Sequence, residues 1–290
     1  MLAVALLLRF GTNVLSYGPI FDENWIIMPI DDLLEEGWSV ETAIDFEETK
    51  GPGLIWPYAL LGETFGGALN TYRAFSIGFF VLGGAIVLLI GHRCGLNGPS
   101  QIVVAGLYAL LPHNALLGQL LMSEPSYLCS AALFMLIFLW GFGTSESRHP
   151  IAGPILLGLV LSILLHNRIH AVALAGAVAL VSAERDRVQC WPWWLACFLA
   201  GLSRIPLWLR WDGLVSPHHQ SMHGLGFSFE NLTYLAAALV PFTAVLIVPA
   251  VMNREYRTLR WLVWLFAAAG TALAVFCSPD LRETVTFEGG

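Results

Sequence analysis

What most limits the folds open to this chain is a succession of apolar stretches, each about as long as a helix and nearly free of charge. They lie near 72–91, 101–117, 125–143, 151–165, 170–183, 191–209, 231–252 and 260–277, with a further block from Leu2 to Tyr17. A helix crosses a bilayer with about 17–25 such residues. Hydrophobic residues make up 57% of the chain and charged residues 12%, against roughly 45–50% and about 25% in soluble domains. The fold class this implies is all-α: a polytopic transmembrane helical bundle of about nine spans, forming one domain over residues 1–290. Several blocks are short, so some helices are expected to be tilted, broken or enclosed by protein. The first block has neither the basic start nor the small-residue cleavage site of a signal peptide, so it is expected to be retained as the first span.

Against this background stands one acidic island. Asp22, Glu23, Asp31, Asp32, Glu35, Glu36, Glu41, Asp45, Glu47 and Glu48 fall between Phe21 and Lys50, about half of the chain's 21 acidic residues. Such a segment cannot enter hydrocarbon. Residues 18–70 are therefore expected to form a large loop outside the membrane, with short interfacial helices. Asp31 to Glu36 could be one of them.

The basic residues orient the chain. With the N-terminus cytoplasmic, Arg93, Arg148, Arg185, Arg187, Arg254, Arg257 and Arg260 lie in or beside inner loops, and only Lys50, Arg210 and Arg282 lie outside. Short loops rich in Lys and Arg stay in the cytoplasm. The acidic loop then faces the periplasm, cell exterior or organelle lumen. The net charge of −7 is mostly that loop, and no nucleic-acid partner is expected. The five cysteines are placed for neither a disulfide in the outer loops nor a zinc site.

Three further polar segments reach the same outer face. The turn from Gln119 to Pro125 carries Ser123 and Glu124. His166, Asn167, Arg168 and His170 interrupt an apolar run from Ile155 to Val181 that is too long for one span. Arg210 to Glu230 carries Asp212, His218, His219 and His223. One surface thus gathers carboxylates, imidazoles, a guanidinium and an ammonium. Arg73 reads as an interfacial anchor, and Arg9 and Arg204 as charges set deeper in their spans.

The order of these features resembles the GT-C superfamily of integral-membrane glycosyltransferases. The acidic pair Asp22-Glu23 follows the first span and Tyr17-Gly18-Pro19-Ile20-Phe21. Thr49-Lys50-Gly51-Pro52-Gly53-Leu54 is similar to the family's Thr-Lys/Thr-Pro-Pro-Gly/Leu motif, with Gly51 in place of its first Pro. Leu61-Gly62 and the Arg-led Tyr72-Arg73-Ala74-Phe75-Ser76 follow. The segment from Asp212 to Tyr234 is similar to a histidine-containing outer segment of the dolichyl-phosphate-glucose α-1,2-glucosyltransferases. The Thr-Lys motif is closer to the lipid A aminoarabinose and protein mannosyltransferases. The chain is shorter than most members, which leaves room for missing C-terminal helices.

The resemblance implies an inverting hexosyltransferase that uses a polyprenyl-phosphate sugar donor and a glycan, lipid or protein acceptor, in contact with membrane lipids. The chemistry can be stated from the residues. A base must take the acceptor proton, and cationic donors must stabilise the departing phosphate. Asp22 is the candidate base, with Glu23 orienting it or holding a sugar hydroxyl. Arg168 suits the phosphate because its fork reaches two oxygens, and no carboxylate on its own helix neutralises it. Lys50 could act there as a point charge. Glu124, His166 and His170 are candidates for donor phosphate or sugar binding.

His219 and His223 are four residues apart, on one face if helical. They read as sugar or phosphate ligands, as ordinary loop histidines, or as a divalent-metal pair. No cofactor is otherwise expected. The rival classes are a multi-span transporter and a non-catalytic membrane assembly subunit. A transporter would place ionisable groups near the midplane of two similar halves, and no repeat is visible here. A metal-dependent membrane hydrolase would need a motif such as His-Glu-x-x-His, which is absent.

Overall fold

The computed structural model describes residues 17–20, 22–44, 51–110, 114, 117–142, 151–168, 171–182 and 187–212. The first expected span and the blocks at 231–252 and 260–277 lie outside these. The chain divides after Pro217 into two compact units, and every described residue belongs to the first. Among the described residues there are helices and no strands.

The acidic segment builds a layer of short helices. Helix α1 (Glu23–Glu36) places Ile26, Ile30 and Leu33 at spacings of four and three, so they share one face, and all three are buried. Asp31, Asp32, Glu35 and Glu36 occupy the remaining faces, while Glu23 shares the buried one. The short surface helix expected at Asp31 to Glu36 is thus the second half of a longer one. Helix α1 stops at Gly37, whose φ of +84° suits glycine. Helix α2 (Val40–Ile44) opens with a reciprocal cap: Thr42 N–H donates to Ser39 Oγ at 3.1 Å and Ser39 N–H to Thr42 Oγ1 at 3.0 Å. Helix α3 (Pro52–Phe65) begins on a proline, which spends no needed N–H at a first turn. Helices α1 and α3 pack together through Ile26, Ile30, Leu33, Leu54, Ile55 and Tyr58. Burying a side chain of this kind contributes roughly 1.5–3 kcal/mol.

The apolar blocks form the second layer: α4 (Leu69–Arg93), α5 (Gly98–Leu110), α6 (Ser123–Phe142), α7 (Ala152–Asn167), α8 (Val172–Ser182), α9 (Arg187–Leu202) and α10 (Ile205–Trp211). Helices α4 and α6 are long and apolar enough to cross a membrane, over Leu69–Arg93 and Ser123–Gly141; α5 and α7 are apolar but shorter. The block expected as one helix over 191–209 is two, broken at Ser203-Arg204 ahead of Pro206. A proline in a helix interior loses a backbone bond and clashes with the preceding turn, so it sits instead in the first turn of α10.

Helix α4 packs on α6, α6 on α7, and α7 on α9. Phe134, Phe138, Leu157, Leu161, Leu164 and Trp193 form the core between the last three. The Trp193 ring rests on Gly141 and Gly153, where a Cβ would meet it. The outward face of α7 carries Ile155, Leu156, Leu159 and Ile163, and that of α9 Trp191, Leu195, Phe198 and Leu199, all exposed. Contiguous apolar faces of this size are rare on soluble monomers.

Candidate functional site

The polar break expected within the apolar run is the end of α7. The helix closes at Asn167, and Arg168 is extended, with φ −144° and ψ 126°. Three segments far apart in sequence meet at this turn, and a fourth is tied to one of them.

The first is Gly51-Pro52-Gly53. Gly51 N–H donates to the Asn167 carbonyl at 3.4 Å. A Cβ on Gly51 would overlap the His166 carbonyl oxygen, and one on Gly53 would lie 2.6 Å from the Ile163 oxygen. Backbone thus lies directly on backbone, and helix α3 starts against the last turn of α7. Lys50 and Thr49, just before, lie outside the described residues.

The second is the turn before α6. Arg168 Nε donates to Ser123 Oγ at 3.0 Å, and its Nη2 bonds Ser123 Oγ and pairs with Glu124 Oε1. Asn167 Nδ2 donates to Ser126 Oγ at 3.0 Å. The sequence led us to expect an uncompensated Arg168. Instead Glu124, a carboxylate 44 residues away on another helix, neutralises it. Glu124 is 14% exposed and engaged by Arg168, not an open ligand position. Arg168 keeps 34% of its side chain exposed, and its Nη1 has no hydrogen bond among the described residues.

The third is the α9–α10 junction. The Ser203 hydroxyl donates to the Ala200 carbonyl at 2.7 Å. Its oxygen also lies 2.7 Å from Ser162 Oγ and 3.2 Å from His166 Nε2. Arg204 Nη1 donates to the Leu165 carbonyl.

The fourth is the acidic pair, which joins through the same turn that carries Ser123. Glu23 is fully buried. Its Oε1 accepts from Arg73 Nε at 3.0 Å and from Leu121 N–H at 2.7 Å; its Oε2 accepts from Arg73 Nη2 at 2.5 Å and from Ile20 N–H at 2.8 Å. Arg73, also fully buried, donates from Nη1 to the Tyr17 carbonyl and from Nη2 to the Gly18 carbonyl, both at 2.8 Å.

Two expectations change here. Arg73 is no interfacial anchor, because its guanidinium is enclosed and its bonds tie three chain segments together. Glu23 has four donors on two oxygens, so it has no capacity left for a sugar hydroxyl, and its role is to fix the fold. Asp22, one residue earlier, is exposed at the N-cap position of α1, and its side chain does not cap the helix. The neighbouring carboxylates thus differ sharply in environment.

On the same layer, Asp31 has its carboxyl pushed up from the usual 3.8 by partial burial and then by the charges of Glu35 and Asp32. His170, His219 and His223 lie outside the described residues. Among the described residues, no three His, Cys, Asp or Glu side chains gather as a metal set.

Sequence reasoning did not foresee Ser126 or Ser203 at this site, nor the partners of Arg73. The one available signal was Arg204 itself, a charge inside an apolar run two residues before a proline. No protein-family model, curated protein or solved structure matches this chain.

Proposed function

We propose that this chain is a multi-pass membrane glycosyltransferase of GT-C type, with its N-terminus cytoplasmic and the acidic layer outside. It moves a sugar from a polyprenyl-phosphate donor to a lipid, glycan or protein acceptor. The observation that carries the reading is the meeting of Gly51-Pro52-Gly53, Ser123-Glu124 and His166-Asn167-Arg168 at one helix end. These are the segments in which the resemblance and the outer-face polar groups were read, and apolar helix faces flank them. A lipid-linked donor needs both: a bilayer face for its chain and a polar edge for its head.

In the proposed reaction, the acceptor oxygen bonds to the anomeric carbon as the bond from that carbon to the phosphate oxygen breaks. The acceptor proton passes to Asp22, and the lipid phosphate leaves with the bonding electrons. Inversion at carbon follows from a single displacement. Asp22 suits the base role because it is exposed, while Glu23 beside it is locked and holds the start of α1 in place. Arg168, fixed through Nε and Nη2, offers Nη1 to the departing charge. Lys50, His170, His219 and His223 are assigned to sugar and phosphate by the resemblance and the sequence pattern.

Titration of purified variants with a polyprenyl-phosphate sugar tests the assignment. Arg168→Lys keeps the charge but loses the fork, so donor use should weaken, and Arg168→Ala should weaken it more. Unchanged donor affinity in Arg168→Ala would remove this residue from the site and shift the role to Lys50.

A further inference from the structure

The outer layer holds an aromatic and acidic arrangement that the site above does not use. Trp56, Leu60 and Glu63 stand at spacings of four and three along α3, so they share one face, and all three are exposed. Trp38, from the link between α1 and α2, reaches this face at two points. Its Nε1–H donates to Glu63 Oε1 at 2.6 Å, and its ring meets that of Trp56 edge to face, with centroids 6.3 Å apart and planes at 66°. Glu63 lies roughly 10 Å beyond Trp56 along the helix axis, and the Trp38 indole bridges the two.

The rings are fixed but not enclosed. Trp56 Nε1–H donates to the Ala43 carbonyl at 2.8 Å, so each indole has its polar group tied to the protein. Even so, Trp38 is 43% exposed and Trp56 38%. Among the described residues, Glu63 has no hydrogen bond besides the one from Trp38 and no basic side chain pairs with it, so its Oε2 is open.

The chemistry selects between occupants. An indole that anchors in a bilayer interface keeps its N–H for the wet side; here both N–H groups are spent on the protein. The described residues of this layer, 17–44 and 51–68, include no Lys or Arg, while Asp22, Asp32, Glu35, Glu36, Glu41 and Glu63 are exposed. Such a surface repels anionic headgroups. A neutral pyranose matches each part. Its C–H groups, made slightly positive by the neighbouring oxygens, pack on the negative face of an indole. Its hydroxyls donate to a carboxylate in charge-assisted hydrogen bonds. Rings held in place beforehand lose little freedom on binding.

We propose that Trp38, Trp56 and Glu63 form a platform for a neutral hexose unit of a glycan, with the sugar ring stacked on an indole and a hydroxyl bonded to Glu63 Oε2. That this glycan is the acceptor rests on the function proposed above; the binding itself does not. The acceptor is then one that already carries sugar.

The test uses the purified full chain in a detergent without a sugar head, titrated with gluco-, manno- and galacto-tetrasaccharides by saturation-transfer NMR. The wild type should bind at least one of them. Trp56→Ala and Glu63→Gln should each weaken that binding roughly tenfold or more. Both residues are exposed, and melting like that of the wild type separates lost binding from lost fold. Trp25→Ala should bind as the wild type does, because Trp25 is exposed on α1 and not part of the platform; an equal loss there would mean that exposed indoles take sugar indiscriminately and would overturn the site. Binding of none of the three sugars, or wild-type affinity in either folded platform variant, would also overturn it. The rival occupant is the outer leaflet: in nanodiscs of brominated lipid, quenching of the emission that Trp56→Phe removes would seat this face in the bilayer, and the proposal would fall. If the variants lose binding while the wild type transfers no sugar, the platform stands and the transferase reading falls. If sugar is transferred and the variants bind normally, the platform alone falls.

Discussion

Replacing Glu23 by alanine should be among the most damaging single changes in the outer layer. The carboxylate accepts four hydrogen bonds, two from Arg73 and one each from Leu121 N–H and Ile20 N–H. Alanine takes the carboxylate from the fully buried Arg73, which keeps its bonds to the Tyr17 and Gly18 carbonyls, and orphans two backbone donors. Breaking a buried ion pair by removing one partner costs about 3–5 kcal/mol. At roughly 2–4 °C per kcal/mol for a unit of this size, the thermal midpoint should drop by about 6–20 °C. Glu23→Gln should fall in the same range, because its amide group turns a donor toward other donors. The double variant Glu23→Met/Arg73→Met removes both charges and should lose clearly less than the sum of the two single changes. The assay is thermal unfolding in detergent, followed by tryptophan fluorescence. A Glu23→Ala protein melting within about 2 °C of the wild type would refute the claim that this pair fixes the layer.

Two further outcomes follow from the same layer. Gly51→Ala should lower the thermal midpoint markedly, since its Cβ would overlap the His166 carbonyl, whereas Gly18→Ala meets nothing within 4 Å and should change it little. Asp31 titrates above its usual value in the folded chain, so the native state holds the proton to higher pH than the unfolded state does. Stability is then lost as pH rises through the window just above 3.8 and stays lower beyond it. Asp31→Asn should remove this loss, so its advantage over the wild type in melting experiments should be small in acid, grow through that window and level off by neutral pH. An advantage independent of pH would contradict the cause given.

The fold was legible where one-dimensional pattern suffices. The expected blocks at 72–91, 125–143, 151–165 and 170–183 correspond to α4, α6, α7 and α8 within a few residues, because length and apolar content alone define a candidate span. The polar break at His166 was legible for the same reason. The partners of charged groups were not. Arg73 looked like an anchor because an arginine near the start of an apolar helix has two readings, and only the contact with Glu23, 50 residues away, decides between them. Arg168 looked uncompensated because only the apolar neighbours on its own helix are visible in one dimension, while Glu124 comes from α6. Asp22 and Glu23 are indistinguishable in sequence; one side chain is exposed, and the other is enclosed by Arg73 of α4 and the backbone of Ile20 and Leu121. The single block at 191–209 hid a break that Pro206 could have announced.

The most direct test of the transferase reading is sugar turnover by purified Asp22→Asn beside the wild type, with a polyprenyl-phosphate sugar as donor in lipid nanodiscs. An amide cannot take the acceptor proton, so the wild type should consume the donor. The variant should bind it equally well, melt like the wild type and turn over about 10²–10⁴-fold more slowly. Near-normal turnover by Asp22→Asn would show that Asp22 is not the base, and no consumption of any such donor by the folded wild type would contradict the transferase reading itself.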